Sequence, residues 1–258
     1  MDKITGRLKD RVAIVTGAGQ GAGYGAAIAM AQEGASIVLM GRTQSKLNSV
    51  AAEIETLGAK SLVFAGDVTD ASDINSVVNV AYEHFGHPNI LVNAAQSPGM
   101  RGGALLDVTP ELLREFWESG YVATLSLMRT VYPHMVKAGG GSIINFGTGV
   151  QHSPAGFGVY ASVKSAIQTL SRAAAMEWGH QKIRVNTVMP FVLSPSLEED
   201  FANKEPDALD AIAKHAPLGR VGDPIADIGR AIAFLASDDA AYMTGGILNL
   251  DGGLMEIR

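Results

Sequence analysis

The chain has 258 residues, 47% of them apolar and 18% charged, enough for one large α/β domain with a sizeable core. A formal net charge of −6 without any basic run argues against nucleic acid or a membrane surface as partner, and no apolar stretch approaches the ~20 residues of a membrane span. With no cysteine, disulfides, thiolate metal sites and cysteine nucleophiles are excluded, a composition that suits the cytoplasm; 30 glycines against 6% aromatics point to tight turns and close backbone contacts.

The first β-branched run, Val12–Thr16, leads into Thr16-Gly17-Ala18-Gly19-Gln20-Gly21-Ala22-Gly23 and an alanine-rich helix. Gly17 permits a tight turn, Gly21 lets the backbone approach a pyrophosphate, and Gly23 packs the helix on the sheet. The helix N-terminus, with Gln20 and Ala22 in the loop, supplies N–H groups and a positive dipole end. A second run, Ser36–Met40, ends in Gly41-Arg42, where an acid would take the 2′-hydroxyl of NAD ribose. An arginine there pairs a 2′-phosphate, so NADP(H) is the predicted cofactor and NAD(H) the second choice. The competing reading has Arg42 merely facing solvent.

Leu47, Val50, Ala51, Ile54 and Leu57 then repeat at helical spacing up to Gly58. A strand at Ser61–Ala65 is followed by Asp67-Val68, and a helix carrying Ile74, Val77, Val78, Ala81 and Phe85 stops at Gly86. Strands follow at Asn89–Val92, Ser142–Phe146, Ile183–Val188 and Ile247–Leu250. Asp223-Pro224 reads as a cap with a first-turn proline, opening a helix with Ile225, Ile228, Ile232 and Leu235 inward. The strands are near-continuous apolar runs, as in a sheet covered on both faces. Their alternation with helices predicts a doubly wound parallel sheet of about seven strands in a single domain, 1–258. The irregular stretch 191–218 reads either as a lid over the ligand crevice or as a surface helix pair.

Tyr160-Ala161-Ser162-Val163-Lys164 puts a phenol and an ammonium one helical turn apart, after a strand ending in Phe146-Gly147-Thr148 at the carboxyl edge of the sheet. A phenol titrates near ~10, and a neighbouring cation should draw it toward the working pH. Taken with Thr16–Gly23, Asp67-Val68, Arg184-Val185-Asn186, Pro190 and the stretch from Phe234 to Gly253, the chain resembles the short-chain dehydrogenase/reductase family over nearly its whole length. The resemblance implies a Rossmann-type fold and hydride exchange between a nicotinamide and a carbonyl or alcohol carbon. It implies Tyr160 as acid/base, Lys164 as its cationic partner on the nicotinamide ribose, and a serine hydroxyl on the carbonyl. It further implies adenine contacts from Asp67 and Val68, ribose contact from Asn93, a nicotinamide-fixing segment of Pro190, Val192 and Ser194, and a homotetramer.

Several positions depart from that pattern. The family's Asn-Asn-Ala-Gly reads Asn93-Ala94-Ala95-Gln96, and Gly120 stands where a catalytic asparagine, which helps hold a water in a proton relay to the lysine, is usual. Registering from the preceding strand puts Thr148 at the serine position; registering from Tyr160 puts Gly147 there. Thr148, which keeps the hydroxyl, is preferred. Phe191 follows Pro190 in place of the usual glycine.

Two functions therefore stand. The first is an NADP(H)-dependent oxidoreductase interconverting a ketone and a secondary alcohol on a bulky, hydrophobic small-molecule substrate, with an altered relay. The second keeps the scaffold for non-redox work as an isomerase, cyclase or binding protein, on the strength of Gly120, Gln96 and the uncertain Thr148. The retained Tyr160–Lys164 pair favours the first. Gln96, Gln151, Phe157 and Phe191 are the predicted substrate wall, with Phe146 read as core. His84 and His87 read as a solvated helix end, and no metal site, P-loop lysine or paired-carboxylate signature is found.

Overall fold

The computed structural model describes residues 6–97, 103–149, 155–192 and 213–254. Seven strands form one all-parallel sheet: β1 Val12–Thr16, β2 Ser36–Gly41, β3 Ser61–Ala65, β4 Ile90–Asn93, β5 Gly141–Phe146, β6 Ile183–Pro190 and β7 Ile247–Leu250. Their order across the sheet is β3-β2-β1-β4-β5-β6-β7. The chain winds outward from β1 to β3 and returns beside β1 as β4. The order therefore reverses between β1 and β4, where a doubly wound sheet opens its ligand crevice.

Alternating residues of each strand feed opposite cores, which is why the runs are apolar throughout. On one face Ala13, Val15, Ile37 and Leu39 pack under α1 (Gly21–Gln32) and α2 (Gln44–Thr56). On the other, Ile14, Val38, Leu91 and Ile143 pack under α3 (Ala71–Phe85) and the helices that follow β4. Asn89 stands outside β4 because its side-chain Oδ1 accepts from Val12 N, 3.0 Å away, and so starts the β1–β4 ladder. Asp70 caps α3 by accepting from the amides of Ser72 and Asp73, and Gly86 ends it.

After β4 the chain builds one long helical rod from three pieces: α4 (Pro110–Trp117), a widened π turn at Glu118–Val122, and α5 (Ala123–Lys137). Thr109 caps it through Leu112 N, with Pro110 in the first turn. Gly120 lies inside the π turn. After β5, α6 (Gly158–Trp178) packs beside the rod, against α4 and the π turn. The helix expected from Asp223-Pro224 is capped as predicted, Asp223 accepting from Ile225 N and Ala226 N. Its first part, Pro224–Gly229, is however a π turn, and only Arg230–Ala236 (α7) is α-helical. The reason is a close backbone crossing with α1. A Cβ on Gly25 would lie 1.8 Å from Pro224 O, and one on Gly229 would lie 2.2 Å from Gly25 O.

Candidate active site

A cleft of about 610 Å³ runs along the carboxyl ends of the strands, from the β2–α2 corner past the glycine loop to the start of α6. The loop is shaped by contacts that admit no side chain. Gly17 has φ +65, and a Cβ on Gly23 would stand 2.3 Å from Gly17 O. Thr16 Oγ1 accepts from the amides of Ala94 and Ala95, both at 3.1 Å, and so ties the β4 loop to the β1 loop. Gln20, at the head of α1, is extended and makes no side-chain cap, so the first turn of α1 opens on the cleft with its amides uncapped by a side chain. Gly17, Gln20, Gly21, Ala22 and Gly23 all line it.

At the β2 end Arg42 and Lys46 bring two cations to the wall, opposite Asp67, Val68 and Thr69. Lys46 Nζ donates to Gln20 Oε1 at 2.5 Å. Arg42 is exposed and makes no ion pair among the described residues. Lys46 was not singled out from sequence. Its only signal was its place one turn beyond Arg42, on the first turn of α2.

At the other end Tyr160 and Lys164 rise from the first two turns of α6, both buried. Lys164 Nζ is 5.8 Å from the centroid of the Tyr160 ring, and Phe116 stands edge-on to that ring at 6.4 Å. The Thr148 side chain lies beside the Tyr160 hydroxyl and acts to lower its pKa. Gly147, the other candidate for that position, turns into the gap between β5, β6 and α6: a Cβ there would meet Gln168 Nε2 and Thr187 Cγ2, each at 2.9 Å. The side chain that meets the phenol is thus that of Thr148.

The electrostatics correct one expectation. Burial pushes the Tyr160 phenol up to about 12, and Thr148 offsets this only in part. Burial likewise brings the Lys164 ammonium down to about 8. Desolvation thus dominates the phenol, and the expected lowering by the neighbouring cation is not seen. At neutral pH Tyr160 holds its proton and Lys164 is cationic.

The other predicted residues divide. Gln96, Pro190 and Val192 line the cleft; Phe146 belongs to the core, as expected, and also borders the cleft. Phe157 and Phe191 are half-buried beside it and do not line it. Asn93 is buried away from it, its Nδ2 donating to Asn145 Oδ1 at 2.8 Å, and Asn145 Nδ2 goes on to Ser171 Oγ at 2.8 Å. That chain ties β4 to β5 and α6. Ser194, Gln151, His152 and most of 191–218 lie outside the described residues. Ser119, which nothing in the sequence marked, lines the cleft from the π turn. His84 Nδ1 lies 3.0 Å from Val80 O, while His87 Nδ1 faces His134 Nδ1 at 3.1 Å, far in the fold from the cleft.

The cleft lies within the size range of cofactor sites, with a glycine-walled helix N-terminus mid-way, two cations at one end and a lysine at the other. That donor set fits a nicotinamide dinucleotide.

The sequence pattern of a family described as enoyl-(acyl carrier protein) reductase matches residues 17–255. The chain is 39% identical over 257 residues to the 12alpha-hydroxysteroid dehydrogenase of a Clostridium species, covering 96% of this chain and 98% of that protein. It is 35% identical over 248 residues to a 2,5-dichloro-2,5-cyclohexadiene-1,4-diol dehydrogenase of Sphingobium indicum, covering 96% and 97%. Among solved structures, a short-chain type dehydrogenase/reductase from Mycobacterium ulcerans superposes with a TM-score of 0.88 at 29% identity, covering 96% of this chain and 90% of that one.

Proposed function

Because the chain belongs to the short-chain dehydrogenase/reductase family, a family of NAD(P)-dependent oxidoreductases, we propose that it is a cytoplasmic, NADP(H)-dependent enzyme interconverting a ketone and a secondary alcohol, with Tyr160 as the acid/base. The observation that carries this reading is the buried trio Tyr160, Lys164 and Thr148, lining one cleft continuous with the glycine loop.

The bound nicotinamide would supply or accept the hydride. Around it, this chain's residues handle the proton and the charge. In reduction, the carbonyl oxygen gains negative charge as hydride reaches its carbon. Thr148 donates to that oxygen and Tyr160 gives it the phenolic proton, leaving the alcohol and a phenolate. Lys164, cationic below about 8, opposes the charge on the phenolate. In oxidation the same groups run in reverse, with Tyr160 first having to lose its proton. A phenol held near 12 makes the resting protein ready for the reductive direction. Arg42 and Lys46 would hold the 2′-phosphate, which supports NADP(H) over NAD(H).

Apolar surface supports a substrate with an apolar skeleton. Phe146, Pro190 and Val192 line the reacting end, and Leu105 and Leu106 stand exposed on the turn that packs against Gly158, two residues before Tyr160. The two relatives named above are dehydrogenases of a hydroxysteroid and of a cyclohexadienediol, and a ring-borne alcohol or ketone is the class proposed here. For the assembly we propose a homotetramer, supported by the exposed Val122 and Met176 on the long helices and Tyr242 and Ile247 at and before β7. The non-redox alternative finds no favouring observation, since a hydroxyl meets Tyr160 and an amide fills the space at Gly120.

The test is absorbance of the reduced nicotinamide with a panel of alicyclic and steroid ketones and alcohols, using NADPH and NADH in parallel. Turnover with NADPH, lost in Tyr160→Phe, is the expected result. Cofactor binding with no turnover on any ketone or alcohol overturns it.

A further inference from the structure

Three polar side chains that the sequence did not mark, Ser97, Glu115 and Ser119, line the cleft on the side of the helical rod. Ser119 Oγ, on the π turn, accepts from Gln96 Nε2 and from Ser97 N, each at 3.3 Å. It donates in turn toward the carbonyls of Ser97 and Glu115. Gln96 also fills the side-chain space of Gly120, where a Cβ would lie 2.9 Å from its Oε1. The end of the β4 loop is thus clasped to the rod at two successive residues. From that anchored backbone Ser97 Oγ donates to Glu115 Oε1 at 3.1 Å.

The carboxylate is held by this one oxygen. Glu115 is exposed on α4, and among the described residues its Oε2 accepts from no donor and the group makes no ion pair. The next residue, Phe116, is buried edge-on to the Tyr160 ring at 6.4 Å, which sets Glu115 at the reacting end of the cleft. The other carboxylate in the wall, Asp67, stands at the far end with Arg42 and Lys46. Near Tyr160 the charged lining groups are therefore Lys164, which is buried, and Glu115, which is open to a ligand. Phe146, Pro190 and Val192 make the surface around them apolar. A fixed carboxylate oxygen in such a wall accepts strongly from a hydroxyl, because hydrogen bonds to a charged acceptor exceed neutral ones. It repels an anionic group through a medium less screening than bulk water.

We propose that Glu115 is a specificity-determining residue: its Oε2 accepts from a second hydroxyl on the substrate, selecting hydroxylated ketones and diols and turning away substrates that carry a carboxylate. Ser97 positions it by holding the other oxygen. No covalent bond changes in this contact. The inference rests on the proposed reading of this end of the cleft as the ketone and alcohol site.

The test uses matched probes with NADPH: cyclohexanone, the hydroxycyclohexanones, and oxocyclohexanecarboxylate with its methyl ester. The wild type should prefer its best hydroxycyclohexanone over cyclohexanone, and the ester over the carboxylate, each by at least about fivefold in kcat/KM. Glu115→Gln keeps the size and the Ser97 contact but not the charge. It should cut the hydroxyl preference at least about threefold and bring ester and carboxylate within about twofold. Ser97→Ala leaves the charge but frees the side chain, so it should weaken the hydroxyl preference and keep the rejection of the carboxylate. Added salt, at about 0.5 M, should shrink that rejection and spare the hydroxyl preference.

Calorimetric titration of the same ketones into the protein–NADP⁺ complex, which cannot reduce them, reads both preferences without catalysis. Preferences absent in the wild type, or unchanged in Glu115→Gln, overturn the role of Glu115; turnover lost in Tyr160→Phe then leaves the enzymatic reading standing. Preferences seen in calorimetry with no turnover of any probe keep Glu115 as a selector and overturn the enzymatic reading instead.

Discussion

The hydroxyl of Thr148 and the phenol of Tyr160 meet inside the protein, and the consequences separate cleanly by substitution. Tyr160→Phe removes the proton and should lower kcat by about 10²–10⁴ with the NADPH dissociation constant, read by cofactor fluorescence, unchanged. Thr148→Val keeps the shape but not the donor and should cost on the order of 10² in kcat, whereas Thr148→Ser should stay within about fivefold. At the other end of the cleft, Arg42→Asp should weaken NADPH at least about tenfold while leaving NADH affinity equal or better. Equal affinity loss for both would reject the 2′-phosphate role. Much of this was legible in the sequence because it depends on local spacing: Tyr160 and Lys164 share a helix face at i, i+4, and the glycine loop lies between a strand and a helix. What was not legible depends on contacts between distant segments. Asn93 faces Asn145 rather than the cleft, and Lys46 reaches Gln20 across two loops. The acidity of Tyr160 also escaped, because burial is a property of the fold and not of the spacing.

Among the elements, the strands were nearly all placed within a residue, since a parallel sheet covered on both faces writes itself as short apolar runs. The two π turns were not visible. Each sits where a helix passes close to another element, and nothing in the periodicity of Glu118–Val122 or Pro224–Gly229 distinguishes a widened turn from an α one. The crossing of α1 with Pro224–Gly229 makes a sharp prediction. Gly25→Ala places a methyl 1.8 Å from Pro224 O, and overpacking against backbone should destabilise by at least about 3 kcal/mol or leave the protein insoluble. Gly179→Ala, in an α-region conformation with open space around the added Cβ, should stabilise by about 0.5–1 kcal/mol. Denaturant midpoints of the two variants check both signs.

For the molecule as a whole, the reacting end of the cleft is a stability cost. Folding lowers the Lys164 ammonium from 10.5 to about 8. The folded state therefore binds fewer protons between those values, and the group's contribution to stability, present above 10.5, is lost as pH falls through about 8. Lys164→Met should thus be inactive yet more stable at pH 7, by up to about 3 kcal/mol or ~5–10 °C in Tm. The gap should close as pH rises toward 10.5, and equal Tm values at pH 7 would refute it. Tyr160 runs oppositely: its pKa is raised from 10 to about 12, so its share is intact below 10 and lost as pH climbs through 12. Size-exclusion with light scattering should give four chains; a monomer would reject the assembly. The contact between Gln96 and Gly120 also couples two positions far apart in the chain. Any side chain at 120 would meet the glutamine amide at 2.9 Å, so that position tolerates substitution only once residue 96 has been made smaller.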